Sequence, residues 1–163
     1  MPPLEKTQQS ERHLKRQSIF ILGTVIALTG CTGGEPLHRF TFNPETLAPQ
    51  TTTLILDKGE KLNFWNSLNV TYKPPIALAF YITIKAKKEP ATEIFCDALN
   101  PTLTFTSLTI EKDNYVDKSW KIARMNCKFG PIEKKQAVTI TATPKIDGIG
   151  TLQVNGLILE LKH

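Results

Sequence analysis

The side chains that most often carry out catalysis are few in this chain and far apart. The histidines are His13, His38 and His163. His13 lies in the N-terminal stretch and His163 is the last residue, so a hydrolase triad or a histidine metal site would depend on His38. The sequence has neither a phosphate-binding glycine loop nor the His-Glu-x-x-His spacing of a zinc site. We therefore expect no metal and no cofactor in this protein.

Two pairs of carboxylates are close enough in sequence to suggest glycosidase chemistry. Asp57 is followed by Glu60, and Glu111 is followed by Asp113. A glycosidase needs two carboxyl groups that face each other across a groove. Both pairs instead lie in turn-like polar segments, where carboxylates are ordinarily solvated. The sequence accordingly predicts a protein that is not an enzyme.

A candidate binding surface lies around the second tryptophan. Trp120, Arg124 and Lys128 share one parity of an alternating segment, and Tyr115 precedes them in a polar loop. A period of two places the first three side chains on one face of a strand, and we expect that face to point outward. An aromatic ring flanked by cations suits a sugar ring or an acidic polymer. The alternative is an ordinary solvated strand face on which the tryptophan covers a sheet edge.

The N-terminal stretch has the order of charged, apolar and small residues found in secretory signal peptides. An uncharged, mostly apolar run covers residues 18–28, and four basic residues precede it: Lys6, Arg12, Lys15 and Arg16. This run is far shorter than the ~20 apolar residues that a helix needs to span a bilayer. A cleaved leader, residues 1–30, is therefore favoured over a transmembrane anchor.

Leu28, Thr29, Gly30 and Cys31 end the apolar run, and together they resemble the lipobox of bacterial lipoproteins. The resemblance implies that Cys31 is acylated, becomes the first mature residue and anchors the protein to a membrane. Stable attachment needs more than one acyl chain, because each buried methylene contributes only about 0.8 kcal/mol. The resemblance also implies a cell-envelope location, and Thr32 in place of aspartate favours the periplasmic side of the outer membrane in a Gram-negative host. The alternative is an ordinary secretory leader that leaves Cys31 as an odd thiol.

The remainder of the chain has the length of one domain. We expect residues 31–36, which include Gly33 and Gly34, to form a flexible tether and residues 37–163 to fold as one unit. The leader contains four of the 20 Lys and Arg residues and two of the 15 Asp and Glu residues, so 16 basic and 13 acidic residues follow it. This mild excess argues against nucleic-acid binding, which needs a concentrated basic face.

Cys96 and Cys127 remain as an even pair once Cys31 is assigned to the lipid. Exported proteins keep disulfides, so we predict a bond between these two cysteines. Closing a loop of ~30 residues contributes roughly 3.5 to 4 kcal/mol in the chain-entropy model. The alternative is a pair of free buried thiols.

Alternation of apolar and polar residues predicts the fold. Residues 37–163 contain about eight or nine period-two segments separated by turn signals, a pattern typical of an all-β protein. We predict an antiparallel β-sandwich with an Ig-like or C2-like layout and one disulfide. From Ile76 to Ile84 both faces of the segment are largely apolar. This segment is therefore the predicted central strand.

One predicted strand changes parity in its middle. Leu103 and Phe105 have one parity, whereas Leu108 and Ile110 have the other. A bulge near residues 106–107 would return all four side chains to the same face.

The leading functional prediction is a membrane-anchored, non-catalytic envelope lipoprotein whose β-sandwich binds a protein partner, as an accessory of an envelope or secretion assembly. A lipobox followed by one small all-β domain is similar in layout to the outer-membrane lipoprotein of type VI secretion, although no binding residues can be matched. The alternative prediction is a module that binds a carbohydrate or an anionic surface polymer through Trp120.

Overall fold

The computed structural model describes residues 34–87 and 89–163, so the predicted leader and Cys31 lie outside the described residues. No helix in this described part is long and apolar enough to cross a membrane. The described residues form nine strands, which are β1 His38–Phe42, β2 Gln50–Leu56, β3 Leu62–Tyr72, β4 Ile76–Ala86, β5 Thr92–Asp97, β6 Leu103–Lys112, β7 Tyr115–Phe129, β8 Gln136–Gly148 and β9 Leu152–Lys162.

The strands form two antiparallel sheets that pack face to face. The five-stranded sheet has the order β1-β9-β3-β7-β6, and the four-stranded sheet has the order β2-β8-β4-β5. Alternate residues of each inner strand point into the space between the sheets, so the period-two pattern becomes a buried core. In β4 the buried residues are Leu78, Phe80, Ile82 and Ile84, and β4 has a neighbour on each side. The predicted sandwich and the predicted central strand are both confirmed.

A disulfide bond links the two sheets. Cys96 in β5 is bonded to Cys127 in β7, with their Cα atoms 5.4 Å apart. Both cysteines are buried. They face each other across the core because each occupies an inward position of its strand. The predicted pairing is therefore confirmed.

The described chain enters the sandwich beside its own last strand. Leu37 N donates a hydrogen bond to Leu161 O at 2.8 Å. The turns before β3 and after β7 lie at this same end, where Ile132 N donates to Glu60 O at 2.9 Å. We call this the tether end. Because neighbouring strands alternate in direction, the turn between β6 and β7 lies at the opposite end.

Candidate functional site

His38 and the carboxylate pair Asp57 and Glu60, which could in principle serve catalysis, instead stabilise turns and strand ends. Asp57 N donates a hydrogen bond to the Glu60 carboxylate at 2.8 Å. The Asp57 carboxylate lies 2.9 Å from Lys135 Nζ, and this hydrogen bond, together with the negative charge of Asp57, raises the pKa of Lys135. His38 packs edge-on against Phe40, with ring centres 4.5 Å apart. Residues 34–87 and 89–163 contain no group of three or more His, Cys, Asp or Glu side chains placed to hold a metal ion.

The second carboxylate pair lies at the turn between β6 and β7. Asp113 has a positive φ of 56°, as expected for a tight hairpin turn. Burial of Tyr72, together with the negative charge of Glu111, raises the pKa of Tyr72. Like an ordinary tyrosine, Tyr72 keeps its phenol proton at neutral pH, so a neutral ring lies near the Glu111 carboxylate at this end of the sheet.

Trp120 lies in the core, so its predicted outward position is wrong. Its side chain is 4% exposed, and the indole Nε1 donates a hydrogen bond to Asn66 Oδ1 at 2.8 Å. Asn66 Nδ2 in turn donates to Ala98 O at 2.9 Å. The cause is one extra residue in β7: as β3 advances from Asn66 to Leu68, its partner position in β7 moves from Ala123 to Trp120. The extra residue reverses the alternation of side chains, so Trp120 faces inward.

Arg124 and Lys128 are exposed on the outer face of the five-stranded sheet, as the sequence predicts. Arg124 Nη2 donates to Asn63 Oδ1 at 3.1 Å, and Lys128 pairs with Asn63 in the β3–β7 register. Tyr115 is also exposed, but it lies roughly 30 Å from Arg124 along β7 at about 3.3 Å per residue. The four predicted residues therefore do not form one surface. A sugar ring on the outside cannot stack on the buried Trp120.

Trp65, the first tryptophan, is covered by a charged cluster on the same outer face. Its ring stacks on Phe105, with centres 6.5 Å apart, and Lys162 Nζ lies 5.3 Å from its centre. Glu160 pairs with Lys162 at 3.2 Å and also with Arg39. Glu160 and Lys162 are buried, and buried charges are stable only when they are paired. This cluster holds β9 against β1 and β3 near the tether end.

Strand β6 is an edge of the five-stranded sheet, and its apolar side chains are exposed. It pairs with β7 on one side only. Leu103, Leu108 and Ile110 are 46%, 56% and 48% exposed. Thr106 has a positive φ of 54° where the sequence predicts a bulge. Every residue of β6 is nonetheless exposed or half-buried, so these apolar side chains do not enter the core.

β6 carries charged side chains only at its last two residues, Glu111 and Lys112, so most of this edge lacks the charges that protect edge strands. Residues 98–110 contain no Asp, Glu, Lys or Arg, and the strand itself contains no proline. Edge strands in natural proteins are usually short, or carry lysine or proline, because free backbone N–H and C=O groups attract another strand. β6 has 10 residues, whereas the other edge strands, β1, β2 and β5, have 5, 7 and 6. The uncharged run is visible in the sequence, but its edge position is not.

The free side of β6 can form backbone hydrogen bonds with an extended segment of another chain. Such a segment would bury Leu108 and Ile110 in the same step. Comparison with protein-family models, with curated proteins and with solved structures finds no match for this chain.

Proposed function

We propose that this chain is a membrane-anchored, non-catalytic lipoprotein of the cell envelope, and that its β-sandwich binds a protein partner at the β6 edge. The observation that carries the proposal is β6 itself, a strand of 10 residues with one side free. Its exposed apolar side chains and the absence of charge from 98 to 110 are otherwise an aggregation hazard. A partner strand would remove that hazard by extending the sheet.

The chemistry of β6 specifies the partner. Backbone groups provide affinity, each net hydrogen bond contributing about 0.5 to 1.5 kcal/mol, whereas side chains provide selectivity. Leu108 and Ile110 favour an apolar side chain opposite them, and Thr104 and Thr109 accommodate hydroxyls. A lysine in the partner strand would face no acid within 98–110. The expected partner segment is therefore extended, uncharged and rich in β-branched or aromatic residues.

The proposed attachment to the membrane depends on a lipid at Cys31. Cys31 lies outside the described residues, but the chain from Cys31 to Leu37 can span only about 20 Å when fully extended. A lipid on Cys31 would therefore keep the tether end of the sandwich close to the bilayer. β6 runs away from this end, which leaves Ile110 farther from the membrane than Leu103. The buried disulfide supports an oxidising compartment such as the periplasm.

Cys31→Ser is expected to abolish membrane attachment. A serine cannot form the thioether that the lipobox resemblance implies, and one acyl chain alone holds a protein only reversibly. Mass spectrometry of the membrane-extracted parent protein should show a mature chain that starts at Cys31 with added acyl mass. The sequence has three cysteines, and Cys96 and Cys127 are bonded to each other. Acyl mass on a cysteine therefore reports on Cys31. A Cys31→Ser protein that matures and stays in the membrane fraction would contradict lipidation.

Leu108→Lys is expected to weaken partner binding at the β6 edge by at least about tenfold, because the new charge is desolvated when a strand is added. A photo-reactive amino acid at Thr109 should cross-link the partner in intact cells, and Leu108→Lys should remove that product. The matched control is Ile149→Lys, at a loop residue that is 92% exposed. Both changes lie at exposed positions, so the free energy of unfolding should shift by no more than about 0.5 kcal/mol.

Three outcomes would contradict docking at the β6 edge. The first is a Thr109 cross-link that survives Leu108→Lys, and the second is an equal loss with Ile149→Lys. The third is a cross-link to a second copy of this chain, together with a dimer in sedimentation that Leu108→Lys dissociates. That result would assign the edge to self-association instead of a different partner.

A further inference from the structure

The outer face of the four-stranded sheet carries a second surface, whose residues are not evident from the sequence pattern. The register of β4 places Tyr81 opposite Phe95 in β5 on one side and opposite Thr143 in β8 on the other. The two rings are 5.4 Å apart between centres and inclined by 80°, so they form a corner. Tyr81 is 44% exposed and Phe95 is 56% exposed. Two neighbouring exposed rings offer apolar area that contributes nothing to the core.

Polar groups surround this pair of rings. Thr83 and Glu93 face each other in the next row of the β4–β5 register. Lys145 Nζ lies 4.7 Å from the centre of the Tyr81 ring, which is a cation–π contact. We define the Tyr81–Phe95 platform as six of the residues that line the resulting depression of about 570 Å³, namely Tyr81, Thr83, Glu93, Phe95, Thr143 and Lys145. Ligand pockets typically measure about 300 to 1,000 Å³ and combine apolar walls with a few polar groups.

We propose that the Tyr81–Phe95 platform binds a neutral saccharide ring. A pyranose has an apolar C–H face, which can pack on the Phe95 ring, and hydroxyls around its rim. Glu93 can accept hydrogen bonds from those hydroxyls, Lys145 can donate, and the threonine hydroxyls can do either. Tyr81 is partly capped by Lys145, so Phe95 is the principal stacking surface.

The charges of the platform select a neutral ligand over an acidic one. The six platform residues have no net charge with which to attract an anionic polymer, because the carboxylate of Glu93 offsets the ammonium of Lys145. The exposed Lys85 lies beyond them, at the next outward position of β4 after Thr83. Asp97, the next acid along β5, is not available at this surface, because its carboxylate accepts hydrogen bonds from Leu99 N and Asn100 N.

The position of the platform also separates it from the β6 edge. The platform lies on the outer face of β8, β4 and the edge strand β5, so a ligand seated on it meets side chains and not the free backbone groups along the outer side of β5. A compact sugar ring that contacts only side chains fits this platform. β6 belongs to the other sheet, so the two sites can be tested independently.

The test is saturation-transfer NMR of the purified protein with four neutral probes, cellohexaose, maltohexaose, mannohexaose and chitohexaose, and with heparin as the charged comparison. At least one neutral probe should bind with a micromolar to millimolar Kd. Phe95→Ala and Tyr81→Ala should each weaken that binding at least about tenfold. Tyr115→Ala is the matched control, because it removes a 51% exposed aromatic ring from the other sheet and should leave the Kd unchanged. Leu108→Lys should also leave the saccharide Kd unchanged.

Several results would overturn the saccharide site. One is the failure of all four neutral probes to bind at roughly 10 mM. Another is neutral-probe binding that survives the combined Tyr81→Ala and Phe95→Ala changes, or that Tyr115→Ala weakens equally. Binding of heparin alone would also contradict it, because a sulfated polymer would then be recognised by charge. Thermal melting of each variant establishes that the protein is folded in these measurements.

Discussion

The Phe80→Ala variant is expected to lose about 3 to 5 kcal/mol of its free energy of unfolding. Phe80 is 0% exposed, and its strand β4 is paired on both sides. Its ring centre lies 5.6 Å from that of Phe42, which belongs to β1 in the other sheet. Truncation therefore removes a contact that joins the two sheets and leaves a cavity that the paired strands can close only in part.

Phe95→Ala is the matched control for this loss. Phe95 lies on the next strand and is 56% exposed, so the same truncation should cost no more than about 1 kcal/mol. Urea denaturation followed by tryptophan fluorescence measures both changes. If the slope of the unfolding free energy against urea concentration is the same in parent and variants, the substitutions have changed stability alone. A Phe80→Ala protein as stable as the parent would contradict the packing described for β4.

Removal of the disulfide is the second change with a large expected effect. The bond joins residues 31 apart in sequence, and closing such a loop contributes roughly 3.5 to 4 kcal/mol in the chain-entropy model. The double variant Cys96→Ala, Cys127→Ala should therefore lower the melting temperature by roughly 10 to 20 °C. Because domains of this size have only about 5 to 15 kcal/mol of stability, this loss should bring unfolding close to physiological temperature.

The third cysteine provides the control for the disulfide. Cys31 belongs to the predicted tether, residues 31–36, so Cys31→Ser should leave the melting temperature of the domain unchanged. Alkylation of the native, unreduced protein should leave Cys96 and Cys127 unmodified. Alkylation of both thiols under those conditions would remove the claim that they are bonded.

Much of the fold follows from local alternation, and the structure confirms it where the alternation is regular. From Leu78 to Ile84 every second residue is buried, because a paired strand points successive side chains to opposite faces. The same rule places Cys96 and Cys127 on inward positions, and the disulfide follows from that. These properties depend on a few neighbouring residues, so one sequence is enough to predict them.

The rule of alternating side chains fails where one of two paired strands contains an extra residue. Trp120 has the same parity as Arg124, yet one extra residue in β7 turns the tryptophan inward while Arg124 remains exposed. The extra residue exists only relative to β3, which is about 50 residues earlier in the chain. Counting along β7 alone therefore could not reveal it, and the surface predicted around Trp120 was wrong for this reason.

The sequence by itself determined the all-β class, the central strand and the cysteine pairing, and it also predicts the lipid anchor at Cys31. Only the tertiary structure decided which strands are edges and which side chains become neighbours. The apolar alternation of β6 resembles that of a buried strand, and its exposure follows from its place at the end of the sheet. Tyr81 and Phe95 likewise meet because β4 and β5 pair in one register, and pairing is a property of two strands together that neither segment contains alone.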